Sequence, residues 1–171
     1  MGRGNVYRCT KCDYSFTASL GVGMVFPMVY SETVEKAKLG KLGRSLQRFL
    51  QDHPEGAIDC ANYIIRCPKC GELRCGPGLD MYVPRKGQDP ATEQQGIWST
   101  AMPFEDESYV LPWDLEELYD LFARYPHRCG RCKGAAVIVG EEAFEHEIAN
   151  GNVMCPCCGS PLESYGAFDW D

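Results

Sequence analysis

Four Cys-x-x-Cys pairs, Cys9/Cys12, Cys67/Cys70, Cys129/Cys132 and Cys155/Cys158, constrain this 171-residue chain more than any other feature. Two residues between cysteines let one short turn aim both sulfurs at a single ion. Two such turns complete the tetrahedron that Zn²⁺ or iron accepts from thiolates. One pair is weak evidence, whereas four predict two four-thiolate metal sites. Eleven cysteines in all could also form a secreted disulfide framework, but the odd count and the repeated spacing favour reduced thiolates. A cytoplasmic location is therefore expected. The sequence begins without a charged, then apolar, leader. Its longest apolar run, 20–30, contains two glycines and Pro27 and is too short for the roughly 20 residues of a membrane span. No membrane association is expected.

Four pairs can be joined in three ways. Sequential joining is the economical expectation. Site 1 would then use Cys9, Cys12, Cys67 and Cys70 with 54 residues between the pairs, and site 2 would use Cys129, Cys132, Cys155 and Cys158 with 22. The shorter interval is close to that of zinc ribbons, and the longer one requires an insertion. Gly71 and Gly159 follow the last cysteine of their pairs, where a left-handed residue lets amides face sulfur. Asp13 and Lys133 hold the matching places. Gly134 is expected to supply the freedom that lysine lacks. Of the remaining cysteines, Cys60 and Cys75 read as small buried side chains. Cys157 is an alternative to Cys158, which its flanking proline and glycine favour. His127 and His146 are weaker substitute ligands, and His53 falls in a helix-ending turn.

Between the knuckles, residues 31–52 predict two helices. Ser31 would cap the first and Gly40 would end it. Leu42, Leu46, Phe49 and Leu50 give the second one apolar face. Lys36, Lys38, Lys41, Arg44 and Arg48 make this insertion basic, which nominates it for nucleic acid. The formal charge of −7 opposes that reading, and two Zn²⁺ with eight thiolates would take it to about −11. From Gly87 to Ala123 there are nine carboxylates with no lysine or arginine between them. Ile97, Trp98, Met102, Phe104, Tyr109 and Trp113 lie among them, as packing aromatics, a recognition strip or part of a small-molecule pocket. Asp114 and Glu117 predict a capping box, with Leu115, Leu118, Tyr119 and Phe122 as the helix's apolar stripe. A strand over 135–139 and a helix over 141–149, closed by Asn150 and Gly151, precede the fourth knuckle.

The expected fold is α+β: two metal-knuckle modules with short antiparallel strands and helical insertions. The expected division is 1–86, a first ribbon containing the insertion at 31–52; 87–111, an acidic aromatic linker; and 112–171, a helix with a second ribbon. The segments Tyr7-Arg8-Cys9-Thr10-Lys11-Cys12-Asp13-Tyr14 and Cys67-Pro68-Lys69-Cys70-Gly71 resemble the knuckles of rubredoxins and zinc ribbons. Over its length, including Leu20-Gly21-Val22-Gly23 and Tyr125-Pro126-His127-Arg128-Cys129, the chain resembles bacterial zinc-ribbon proteins that carry no assigned activity. The resemblance implies a fold and no activity, and the cysteine spacing leads to the expectation of two bound Zn²⁺, with iron an alternative chiefly at site 1. Closed four-thiolate sites leave no position for a reacting water, so the expected role is structural and non-catalytic, as a module for a protein partner or for regulation. A rubredoxin-like Fe(Cys)₄ electron carrier is the alternative, and a nucleic-acid-binding ribbon is the second alternative.

Overall fold

A computed structural model describes residues 2–87 and 109–170. The chain divides into two compact units. The first gathers 1–24, 61–78 and 126–171, and the second gathers 25–60 and 79–125. The expected boundaries at 86 and 112 are therefore not where the chain divides. Each predicted ribbon contributes to both units, because the strands around the knuckles pair across the sequence rather than within its halves. Most of the expected linker, including Ile97, Trp98, Met102 and Phe104, lies outside the described residues. No helix among the described residues is long and apolar enough to cross a membrane.

The first unit has two three-stranded antiparallel sheets. One has the order β2-β1-β9, built from β1 (Gly2–Cys9), β2 (Ser15–Leu20) and β9 (Leu162–Trp170). The other has the order β5-β4-β8, built from β4 (Asn62–Arg66), β5 (Leu73–Pro77) and β8 (Val137–Val139). Alternation along β2 puts Phe16, Ala18 and Leu20 on one face, and all three are buried with Tyr7, Ile64, Leu73 and Leu162. Helix α4 (Glu141–Ala149) adds Phe144 and Ile148 to this core. The Phe144 ring meets Tyr7 edge-on at 5.1 Å, an arrangement worth about 0.5–1.5 kcal/mol beyond its burial. The Tyr7 hydroxyl donates to Glu145, whose carboxylate also accepts from Asn5 Nδ2 at 3.1 Å. Burial, then Glu145, pushes the Tyr7 phenol well above its usual range. Arg66 holds Glu147 of the same helix at 3.1 Å.

Helix α4 ends as expected. Gly151 at φ 66° lets its amide reach Ile148 O, and Asn152 N–H reaches Glu147 O. Strand β9 carries no strong apolar alternation, and only the structure shows what it does. Its aromatic rings lie on the glycines of β1. A Cβ on Gly4 would come within 2.2–2.7 Å of the Phe168 ring, and one on Gly2 within 2.4–2.8 Å of Trp170. The Trp170 indole N–H donates to Arg3 O at 3.0 Å, fixing the end of the strand. Across the bulge opposite Val6 and Tyr7, the Arg8 guanidinium sits 3.4 Å from the Tyr165 ring centre.

In the second unit, α1 (Phe26–Lys38) and α2 (Arg44–Asp52) accompany a sheet of order β3-β6-β7: β3 (Ala57–Ile58), β6 (Met81–Pro84) and β7 (Tyr119–Ala123). Helix α1 begins at Phe26, with Pro27 in its first turn, so Ser31 is interior rather than a cap. Its end is at the predicted place: Gly40 has φ 72°, its amide bonds Ala37 O, and Lys41 N–H bonds Lys36 O. Leu46 and Phe49 are the buried face of α2. Helix α3 (Pro112–Leu118) starts two residues before the expected cap, and Asp114 Oδ2 accepts from Leu111 N–H at 3.2 Å as a third-position residue. The helix stops at Leu118. Tyr119 to Ala123 extend as β7, so Phe122 is exposed instead of completing a helical stripe.

Candidate metal centres

Each knuckle is a turn in which the first cysteine's amide bonds the carbonyl five residues on: Cys9 to Tyr14, Cys67 to Glu72, Cys129 to Gly134 and Cys155 to Ser160. Three turns add a bond back to the first cysteine's carbonyl, from Gly71, Lys133 and Gly159. All three of those residues are left-handed, at φ 72°, 59° and 73°. Lys133 itself takes the strained conformation, so Gly134 does not relieve it as expected. The Lys133 ammonium bonds Gly130 O at 2.7 Å. Amides also aim at sulfur. Lys11, Cys132 and Cys157 N–H groups each lie 3.4 Å from the Sγ of Cys9, Cys129 and Cys155 respectively.

The structure joins the pairs from the outside inward. Cys9 and Cys12 meet Cys155 and Cys158, while Cys67 and Cys70 meet Cys129 and Cys132. The sequential sets expected from spacing, Cys9/Cys12/Cys67/Cys70 and Cys129/Cys132/Cys155/Cys158, do not assemble. The insertion after the first knuckle thus separates two different sites. The physical reason is that loop length is a weak discriminator. Treating the loops as flexible, intervals of 142 and 58 residues in place of 54 and 22 cost only about 1.7 kcal/mol more closure entropy. Strand pairing decides instead, since β1 pairs with β9 and β4 with β8 immediately beside the cysteines.

Within each set the sulfurs lie within 4.8 Å of one another. The closest contacts are Cys9–Cys158 at 3.3 Å, Cys12–Cys155 at 3.6 Å, Cys67–Cys132 at 3.4 Å and Cys70–Cys129 at 3.6 Å. A tetrahedron with ion–sulfur bonds of about 2.3 Å has edges of about 3.8 Å, so four-coordinate metal fits both sets with little rearrangement. None of the eleven cysteines is in a disulfide. The sets differ in access. Cys158 of the outer set is exposed, whereas the inner set contains only buried and half-buried cysteines.

The protonation pattern favours a cation. The Cys132 amide leads in lowering the Cys129 thiol to about 6, and the Ser160 amide followed by Cys9 does the same for Cys158. Their neighbours move the other way. The amides of Tyr14 and Glu72 hold Cys12 and Cys70 down, but burial and the surrounding thiols outweigh them and push both up to about 12. One set cannot ionise fully by itself. A divalent ion would replace those protons.

The substitute ligands lie elsewhere. His127 is buried, with Nδ1 accepting from Arg74 Nη2 at 2.9 Å and Nε2 donating to Gly78 O at 2.8 Å. His146 is exposed and within reach of Asn150, and His53 packs in a triad of tilted rings with Phe49 and Phe122. Cys60 is buried, and the Cys75 thiol donates to Ser19 O at 3.0 Å. Arg131, in the third knuckle, donates to Pro156 O of the fourth at 2.8 Å and so ties the two centres together. The basic insertion is partly self-neutralised, because Lys36 pairs with Glu32 at 2.9 Å and Lys38 with Glu35 at 2.8 Å. Comparison with protein-family models, curated proteins and solved structures gave no match for this chain.

Proposed function

We propose that the protein is a structural, non-catalytic metal protein in which each four-cysteine set holds one Zn²⁺ and the assembled scaffold serves a protein partner. The convergence of eight thiols from four knuckles into two four-sulfur sets carries this reading. Cys9, Cys12, Cys155 and Cys158 would hold one ion, and Cys67, Cys70, Cys129 and Cys132 the other. Four thiolates fill a tetrahedral ion and leave no place for substrate or water, so the chemistry supplied is cross-linking. The outer ion would join 1–24 to 126–171, and the inner ion would join 61–78 to the same segment. All three pieces of the first unit are thereby stapled. Apparent binding energies of about 10–16 kcal/mol per ion are comparable to a domain's whole stability. Metal analysis of protein purified under reducing conditions should give two equivalents, and a strong chelator should unfold the first unit. A melting curve indifferent to chelation would refute the reading.

Amide-to-sulfur hydrogen bonds at three knuckles also suit Fe(Cys)₄, whose potential such bonds tune, and the exposed Cys158 would open the outer site to electron exchange. Protein produced with ample iron would then be red and reversibly bleached by dithionite. Zinc alone under those conditions excludes electron transfer.

A further inference from the structure

Strand β9 lies at the edge of its sheet, and every residue from Glu163 to Asp169 is exposed. Three backbone bonds fix which of its amides are already used. Cys9 N–H donates to Tyr14 O on the β2 side, Thr10 N–H to Pro161 O on the β9 side, and Leu162 N–H to Val153 O, away from β1. Successive residues of an antiparallel strand turn their N–H and C=O to opposite edges. Arg8, Val6, Gly4 and Gly2 therefore bond β9, and their register partners Glu163, Gly166, Phe168 and Trp170 face β1. Tyr165 is the extra residue of the bulge. Ser164, Ala167 and Asp169 are left with N–H and C=O turned outward, and among the described residues no strand pairs with them.

An open row of backbone donors and acceptors is a template for one more strand, and edges that resist this carry lysine or proline. From Leu162 to Trp170 there is neither. We propose that the occupant is β9 of a second copy of this chain, added antiparallel about a twofold axis at Phe168. The outward residues set that register. Pairing Ala167 with Asp169 of the second copy uses both outward residues beyond the bulge, each N–H meeting the other's C=O, and the symmetry repeats the set. Pairing Asp169 with its own copy would put like charges directly opposite. Pairing Ala167 with its own copy would set Asp169 against Tyr165, where the bulge breaks the alternation. In the chosen register the exposed Phe168 ring faces its own copy at the closer spacing of a non-hydrogen-bonded pair, about 4.5 Å between Cα atoms. Trp170 faces Gly166, where nothing lies within 4 Å of a Cβ position and a ring has room. Because one patch serves both copies and the bulge ends the pairing, association closes at two and joins the two three-stranded sheets into one. So short a pairing makes a reversible dimer, not a permanent one.

This names a partner for the scaffold and rests on that reading only for the metal-loaded fold. The test is sedimentation equilibrium of the full chain under reducing conditions, with amide exchange measured across the same concentrations. A monomer–dimer equilibrium should appear with no larger species. The amides of Ala167 and Asp169 should exchange more slowly as concentration rises, while that of Ser164, across the bulge, should not change. Ala167→Pro removes an outward N–H, which an edge strand tolerates, and should weaken dimerisation by about tenfold or more while metal content holds. Ser164→Pro removes an outward N–H outside the paired stretch and should leave dimerisation unchanged. Should Ala167→Pro fail to bind metal, the exchange of the unaltered protein decides. A two-metal protein that stays monomeric up to about 1 mM, a dimer that leaves both amides unprotected, or equal damage from the two prolines would overturn the proposal. A dimer protected at these amides but holding no metal would sink the scaffold reading alone.

Discussion

At the residue scale, the position after each second cysteine separates what local sequence encodes from what it does not. Gly71 and Gly159 adopt φ near +70°, where a Cβ is costly, and Lys133 takes the same conformation without glycine's freedom. Lys133→Gly should stabilise the protein by about 0.5–1 kcal/mol after the lost Gly130 bond and the added unfolded-state entropy are counted, whereas Gly71→Ala should destabilise it by about 1 kcal/mol. Denaturant unfolding of the metal-loaded protein measures both. These turns were legible because a Cys-x-x-Cys-Gly turn is closed by bonds within six residues. Acid sensitivity follows from the thiols. Cys12 and Cys70, pushed up to about 12, are protonated at neutral pH in the metal-free protein, so binding must expel their protons. Apparent metal affinity therefore falls as pH falls. Chelator competition at pH 8 and pH 6 should show tighter binding at pH 8, and equal affinities would contradict the thiolate assignment.

At the element scale, β9 shows what patterning omits. Its residues are exposed along nearly the whole strand, so no apolar period marks it, and its seat consists of two glycines at the opposite end of the sequence. A ring packed over a glycine leaves a signal in neither segment read separately. Gly4→Ala would put a methyl group into the Phe168 ring, and the ring must swing away. The expected cost is about 1–3 kcal/mol, with faster amide exchange in β9 than in β4. If both strands keep their protection, the glycine seat is not what fastens β9. By contrast, α2 was legible from its apolar face, and the ends of α1 and α4 from Gly40 and Gly151. The apolar spacing of Leu118, Tyr119 and Phe122 predicts a longer helix than α3, because it is helical in period and carries no sign of the pairing with β6 that draws Tyr119–Ala123 into a strand.

At the scale of the whole molecule, pairing and charge were the hidden quantities. Nine basic and nine acidic residues balance in the first unit, so the formal charge of −7 resides in the second, with eight basic and fifteen acidic. Composition reported the sum and concealed the division. Nested pairing makes a prediction that sequential pairing reverses. Replacing Cys9, Cys12, Cys155 and Cys158 together by serine should leave one bound metal, and replacing Cys9, Cys12, Cys67 and Cys70 should leave none. Metal stoichiometry by intact mass distinguishes the two arrangements. The nesting also sets a schedule for synthesis. A ribosome adding about 5–20 residues per second takes on the order of ten seconds to travel from Cys12 to Cys155. Throughout that interval the earliest thiols are out in the cell without their partners, so the nascent chain relies on its surroundings staying reducing until its last knuckle arrives.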